Sequence, residues 1–131
     1  MSSQKTSSSK LLTEVELELM GILWKIREGT VHEVIESLPK ERKLAYTSVS
    51  TMLRILEQKK VLGSRKEGRG HIYFPRLNKD EYEATSLHHL VKKVFDGAPS
   101  GVVRRLIETD GLTEDDLRAI QELIANKLEK K

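Results

Sequence analysis

Hydrophobic residues recur at helical spacing along most of the chain, and several of these runs begin at a capping signal. Thr13 with Glu16 forms the pattern T-x-x-E and opens a first helix, predicted to reach about Arg27 and to be ended by Gly29. Its apolar residues fall into two stripes, one with Leu17, Met20, Gly21 and Trp24, the other with Val15, Leu19, Ile22 and Ile26. A helix that is apolar on two sides should be covered on two sides, by the local core and by another element.

A second and a third helix follow at once. Thr30 with Glu33 repeats the capping pattern, and the apolar spacing after it predicts a short helix that ends near Leu38, before Pro39. The third helix is predicted from Tyr46 to Lys60. Its buried stripe consists of Val49, Met52, Leu53 and Leu56.

The opposite face of the third helix carries no acidic residue. It consists of Thr47, Thr51, Arg54 and Gln58, which offer hydroxyl, guanidinium and amide groups. Such groups suit base edges and phosphates in a major groove, whereas ordinary solvent-facing helices usually mix Glu with Lys. The pattern favours a recognition helix over its alternative, a plain solvated surface.

Two short strand-like runs, residues 62–67 and 71–75, come next and are separated by the sequence GRG at 68–70. The two glycines are expected to give the tip its turn geometry, with Arg69 exposed between them. Three helices followed by a basic hairpin is the order of a winged helix. The predicted fold is therefore mainly α with a small β-hairpin, in which a disordered tail (1–10) precedes a winged helix-turn-helix domain (11–77).

Residues 78–131 are predicted to form three amphipathic helices that constitute a helical dimerisation region. Helices that follow a complete small domain need a surface on which to bury their apolar stripes, and a two-fold dimer is the commonest solution. The alternative is a monomer whose last helices fold back onto the first. The candidate dimerisation residues are Leu87, Leu90, Val91, Val94, Val103, Leu106, Ile107, Leu117, Ile120 and Ile124.

The net charge of +3 is unevenly distributed along the chain. The stretch from Lys40 to Arg76 has ten basic and three acidic residues, a charge of +7, whereas the stretch from Leu77 to the end has nine basic and eleven acidic residues. A concentrated positive segment is the electrostatic signature of a polyanionic partner, although a solvated surface could also carry it.

Several other classes of protein are excluded or disfavoured. The chain has no cysteine, which excludes disulfides and thiolate metal sites. No apolar run is long enough for a membrane span or a secretory signal, so a cytoplasmic protein is expected. His88 and His89 are adjacent and point about 100° apart on a helix, so no metal site is expected. Without a phosphate-binding glycine motif or a catalytic pair, neither a cofactor nor an enzyme is expected.

Four stretches together resemble a known family: LTEVELELMGILW, TVHEVIESLP, LAYTSVSTMLRILEQKKVL and KEGRGHIYFP. They resemble the penicillinase and methicillin-resistance repressors (the BlaI/MecI/CopY type). The resemblance covers residues 12–128, and its most specific part is AYTSVSTMLRILEQK at 45–59. It implies a sequence-specific winged-helix repressor of transcription, held as a homodimer by its C-terminal helices, on a palindromic operator in double-stranded DNA.

The same resemblance implies which residues touch DNA. The third helix would enter the major groove, and Arg54 would make a bidentate contact with guanine, or else contact a phosphate only. Arg69 and His71 of the hairpin would lie near the DNA backbone, and Lys43 and Lys66 would bind phosphates. The other candidate contacts of the third helix are Thr47, Ser48, Ser50 and Thr51.

The chain departs from the family pattern at two places. Many relatives are inactivated when a sensor-linked protease cuts an Asn-Phe bond in the fifth helix, and the corresponding residues here are Arg105 and Leu106. The copper-responsive branch carries C-terminal cysteine pairs, which this chain lacks. Two alternative functions stay open at this point, a winged-helix module that binds another protein and a non-specific architectural DNA-binding protein.

Overall fold

The computed structural model describes residues 11–130, which divide into two compact units between Ser86 and Leu87. Three helices come first, α1 (Glu14–Ile26), α2 (Val31–Glu36) and α3 (Tyr46–Gln58). The antiparallel strands β1 (Leu62–Glu67) and β2 (Gly70–Pro75) follow, and then α4 (Lys79–Val94), α5 (Pro99–Glu108) and α6 (Glu114–Glu129). The predicted winged-helix fold class is confirmed. The predicted tail at residues 1–10 lies outside the described residues.

The ends of α1 are set by a capping box and by backbone conformation. The Thr13 hydroxyl accepts the Glu16 N–H at 3.2 Å, and the Glu16 carboxylate accepts the Thr13 N–H at 2.9 Å. The prediction that Gly29 ends the helix is wrong, because α1 ends at Ile26 and Arg27 takes the positive φ of 79°. Gly29 is instead buried, where an added Cβ would lie 2.9 Å from Ile26 Cδ1.

The core of the first unit lies between the three helices and the inner side of the hairpin. One face of α1 is buried, with Leu19, Met20 and Leu23 all fully inaccessible to solvent. The prediction of two separate stripes is therefore corrected. The buried face combines Leu19 from one predicted stripe with Met20 from the other, and it includes Leu23, which was in neither. The core is completed by Val31, Val34, Val49, Leu53, Leu56, Val61, Leu62 and Tyr73.

The second side of α1 is covered by the beginning of α4. Trp24 Nε1 donates a hydrogen bond to the carbonyl oxygen of Leu77 at 2.9 Å, and its ring centroid lies 5.9 Å from that of Tyr82. The Tyr82 hydroxyl accepts the Leu12 N–H at 3.0 Å. The first residues of α4 are thus part of the compact unit that contains the winged helix.

The C-terminal unit has no buried core in a single copy of the chain. No residue of α5 or α6 is buried. Of the ten candidate dimerisation residues, Val91 and Ile120 are half-buried and the others are exposed, up to 63% for Val94. Leu123 and Leu128, outside that set, are also exposed. Across residues 11–130 no helix is both long and apolar enough to cross a membrane.

An ion pair with a buried carboxylate joins α1 to Lys59, the residue that follows α3. Glu16 is only 4% exposed, and Lys59 Nζ lies 2.6 Å from its carboxylate. Burial disfavours the charged carboxylate, but the hydrogen bonds from Lys59 and from the Thr13 N–H outweigh it and lower the pKa of Glu16. The pair fixes the C-terminal end of α3 on the core.

Glu16→Gln should lower the free energy of unfolding at neutral pH by about 1–3 kcal/mol, because it weakens a charged hydrogen bond and the capping box. Since the folded pKa of Glu16 lies below its ordinary value of 4.5, this stability is present above that pH and is lost as the pH falls through the folded pKa. Urea unfolding followed by circular dichroism at several pH values measures both effects. The exposed Glu14→Gln is the control, and a stability difference between wild type and Glu16→Gln that does not change with pH would contradict the assignment.

Candidate nucleic-acid interface

The polar face of α3 points away from the core. Thr47, Thr51 and Arg54 are exposed, whereas Val49 and Leu53 on the opposite side are fully buried. Of the other two candidates on this helix, Ser48 is exposed and Ser50 is half-buried. The first turn of α3 contains no acidic residue, and Ala45 at its N-cap makes no side-chain hydrogen bond to the helix. The N-terminal end of α3 therefore offers backbone N–H groups and no negative charge to an anion.

The exposed face of α3 also contains one apolar residue that the sequence analysis did not single out. Ile55 is 36% exposed and follows Thr51 by one helical turn. The signal was available, since residues four apart on a helix share a side. An exposed aliphatic group among hydroxyls can contact the methyl group of thymine, a contact that polar side chains do not provide.

The hairpin presents two of the candidate residues on the side that faces α3. Lys66 lies opposite His71 in the strand register, and Ser64 lies opposite Tyr73. Because alternate residues of a strand share a face, these four side chains leave the same side of the hairpin. Ser64 Oγ donates a hydrogen bond to the Glu57 carboxylate of α3 at 2.7 Å, which identifies that side. Lys66 and His71, both exposed, therefore lie on the side of the hairpin that faces α3.

The tip of the hairpin holds Arg69 in an exposed position between two glycines. Of the two, only Gly68 has a positive φ, +60°, which favours glycine. Gly70 begins β2 and has no positive φ. The expectation that both glycines shape the turn is corrected to Gly68 alone.

Arg54 lies where α3 meets the hairpin. Burial raises the pKa of Tyr73, the Glu57 carboxylate adds to that increase, and the Arg54 guanidinium opposes it. Arg54 is therefore close enough to affect the β2 tyrosine electrostatically while its side chain stays exposed. It makes no ion pair with any of residues 11–130.

Acids of α1 and of the turn after it neutralise part of the basic segment. Glu16 pairs with Lys59, Glu18 with Arg42 and Glu28 with Arg65. The charge of +7 counted along the sequence therefore overstates the patch, because these acids lie outside the counted stretch. Seven basic residues of the segment form no ion pair within the described part of the chain: Lys40, Lys43, Arg54, Lys60, Lys66, Arg69 and Arg76. Four of the predicted DNA contacts are among them.

Residues 12–126 match the family described as the penicillinase repressor. The chain belongs to the penicillinase repressor family. Its relatives include a transcriptional regulator BlaI of Mycobacterium tuberculosis, 33% identical over 118 residues (87% of this chain and 86% of the relative). The penicillinase repressor of Bacillus licheniformis is 26% identical over 113 residues (86% of this chain and 88% of the relative).

Among solved structures, the chain is similar to the monomeric form of Bacillus licheniformis BlaI in complex with the blaP half-operator. That similarity has 33% identity and a TM-score of 0.47, and it covers 56% of this chain and 89% of the other. Members of the penicillinase repressor family are transcriptional repressors and not enzymes. The expected family is thereby confirmed. The expectation of a repressor and not an enzyme is confirmed as well. The individual DNA-contacting residues stay predictions.

Gly68→Ala should destabilise the first unit by about 1 kcal/mol, because an L side chain is disfavoured at positive φ. Gly70→Ala is the matched control, since a Cβ at either glycine would meet open space and only Gly68 has a positive φ. Thermal unfolding of the two variants measures the difference. Equal melting temperatures would show that the tip does not depend on the conformation of Gly68.

Proposed function

We propose that this member of the penicillinase repressor family is a sequence-specific DNA-binding repressor that acts as a homodimer on a palindromic operator. The observation that carries the proposal is the exposed, acid-free face of α3 beside a hairpin whose Lys66 and Arg69 form no ion pair with any of residues 11–130. Binding to genomic DNA also implies a cytoplasmic protein. The names of the relatives, a penicillinase repressor and a transcriptional regulator, support repression as the outcome of binding.

In this proposal α3 enters the major groove. An α-helix with its side chains is about 10–12 Å across, which fits a groove about 12 Å wide. Arg54 contacts a guanine, Thr47 and Thr51 contact base edges, and Ser48 and Ser50 contact bases or nearby phosphates. The phosphate and backbone contacts come from Lys43, Lys66, Arg69 and His71.

The proposed homodimer rests on the apolar surface of the C-terminal unit. No residue of α5 or α6 is fully buried in a single copy, and side chains such as Leu106 and Ile124 are about half exposed. A second copy would cover this surface through a two-fold axis, and the same axis makes the operator palindromic. The centres of the half-sites should lie about 10 base pairs or a multiple apart. Repression would then be steric, by covering a promoter.

The proposal does not include inactivation at the site cut in many relatives. At the corresponding position Arg105 precedes Leu106, in α5, and the Arg105 guanidinium lies 3.9 Å from Glu108. A protease pocket that accepts Asn and Phe would have to accept a cation and an aliphatic side chain instead. A different signal is therefore proposed to release the protein from DNA.

Arg54→Ala tests the recognition of bases. Selection of duplexes from a random pool first yields the operator, and fluorescence anisotropy then compares binding to the operator with binding to an unrelated duplex. Operator binding should weaken by about 1–3 kcal/mol, the contribution of one bidentate base contact, with a much smaller loss on the unrelated duplex. Arg118→Ala, at an exposed position in α6, is the control and should leave both affinities unchanged.

Three other results of this experiment would reject the proposal or one of its parts. Equal losses on both duplexes would leave Arg54 as a phosphate contact only. A pool without any recovered palindrome would favour an architectural DNA-binding protein. The absence of any binding at low salt would favour a module that binds another protein.

Ile124→Asp tests the dimer. Ile124 is 51% exposed on the apolar side of α6, so a carboxylate there would become buried and unpaired in a dimer and should dissociate it. Asn126→Asp introduces the same side chain two residues away, on the opposite side of α6, and should leave the dimer intact. Sedimentation equilibrium measures both variants. A wild-type chain that sediments as a monomer at all concentrations would contradict the proposal.

A further inference from the structure

Two arginines of the basic segment are held by carboxylates in opposite ways. Arg42 donates through Nε to both oxygens of Glu18, at 3.1 and 3.0 Å. Arg65 donates through Nη1 and Nη2 to the two oxygens of Glu28, at 2.9 and 2.8 Å. In the described part of the chain, neither Nη group of Arg42 is used in a hydrogen bond, whereas both Nη groups of Arg65 are occupied.

The position of Arg42 brings it close to the groove that α3 would enter. It lies four residues before Tyr46, the first residue of α3, and four residues span at most about 14 Å. The Arg42 N–H donates to the carbonyl oxygen of Pro39 at 2.9 Å, which fixes the backbone there. The exposed Lys40 and Lys43 flank it without ion pairs, so this connection presents cations beside the N-terminal end of α3.

We propose that Arg42 binds a DNA phosphate at the edge of the major groove and that Glu18 is its positioning residue. The proposal rests on the DNA-binding function proposed above. A guanidinium held through Nε leaves the edge formed by its two Nη nitrogens free, and that edge can donate to two oxygens of one phosphate. Glu18 projects from α1, a helix that is anchored in the core by its buried face, so it orders a side chain that would otherwise move freely.

Arg65 provides the contrast within the same chain. Its Nη groups are already bound to Glu28, and it leaves the hairpin on the side opposite Lys66 and His71. It carries the same charge as Arg42 and also pairs with a glutamate, but the edge formed by its two Nη groups is bound to Glu28 and its Nε lies 4.0 Å from the Glu67 carboxylate. If Arg42 binds a phosphate, replacing Arg42 should affect DNA binding more than replacing Arg65. If each arginine contributes only its positive charge, the two replacements should have similar effects.

The test uses the full chain and measures anisotropy on the selected operator and on an unrelated duplex over a range of salt concentrations. Arg42→Ala should weaken binding to both duplexes by a similar factor and reduce the slope of log K against log salt by about 0.9 per protomer. Arg65→Ala should leave the slope unchanged. Arg42→Lys should recover the slope but only part of the affinity, because a lysine cannot be held through Nε.

Glu18→Gln separates positioning from simple neutralisation. It removes a negative charge near DNA, so binding should strengthen if Glu18 only neutralises Arg42, and should weaken if Glu18 orders it. We expect weaker binding, and we expect Glu18→Gln combined with Arg42→Ala to bind like Arg42→Ala alone. Circular dichroism of each variant verifies that the first unit stays folded.

The outcomes separate this inference from the function on which it rests. If Lys43→Ala and Arg54→Ala weaken DNA binding while Arg42→Ala and Arg65→Ala give the same slope as wild type, the Arg42 assignment is wrong and the proposed function stands. If none of these variants changes binding, both are wrong. Stronger binding by Glu18→Gln would overturn the positioning role and leave Arg42 as a restrained cation.

Discussion

The structure depends on how α3 is anchored to the rest of the first unit. Val49, Leu53 and Leu56 are fully buried on one side of the helix, and that packing leaves Thr47, Thr51 and Arg54 exposed on the other side. A helix can contact a groove only if it is fixed from behind, since every residual freedom of the helix would be lost again on binding. The Glu16–Lys59 pair fixes the C-terminal end of α3, and Ser64 with Glu57 attaches the hairpin to it.

Local signals in the sequence predicted most of this fold. The T-x-x-E pattern at Thr13 and at Thr30 marked two helix starts to the residue, because a capping box is complete within four positions. The spacing of apolar residues located α3 and its exposed side, although the helix ends at Gln58, two residues before the predicted Lys60. The spacing rule also covers Leu23, which follows Met20 by three residues and Leu19 by four, although the two predicted stripes left it out. The role of Gly29 could not be predicted in this way, because it depends on β2: Gly29 is buried where its backbone exchanges hydrogen bonds with Tyr73.

The electrostatics of the interface were harder to predict, because the charged residues that pair with one another are far apart along the chain. Glu18 and Arg42 are 24 positions apart, Glu28 and Arg65 are 37 apart, and Glu16 and Lys59 are 43 apart. A count of charges within one stretch of sequence includes the cations and omits these acids. The pairs also decide which nitrogen atoms remain available, a property that depends on geometry and not on composition. Arg42 was counted as one charge among ten, whereas its Nε–carboxylate pairing sets it apart from Arg65.

The C-terminal unit connects the stability of the protein to its proposed symmetry. No residue of α5 or α6 is buried in one copy, so in the proposed dimer most of the free energy that orders this unit would come from contacts with the second copy. Folding of the unit and association of two copies would then be a single equilibrium that depends on protein concentration. In the proposed dimer, one DNA-binding unit bound to its half-site raises the effective concentration of the second at the other half-site. In the proposed dimer, the exposed leucines and isoleucines would therefore contribute to DNA affinity without touching DNA.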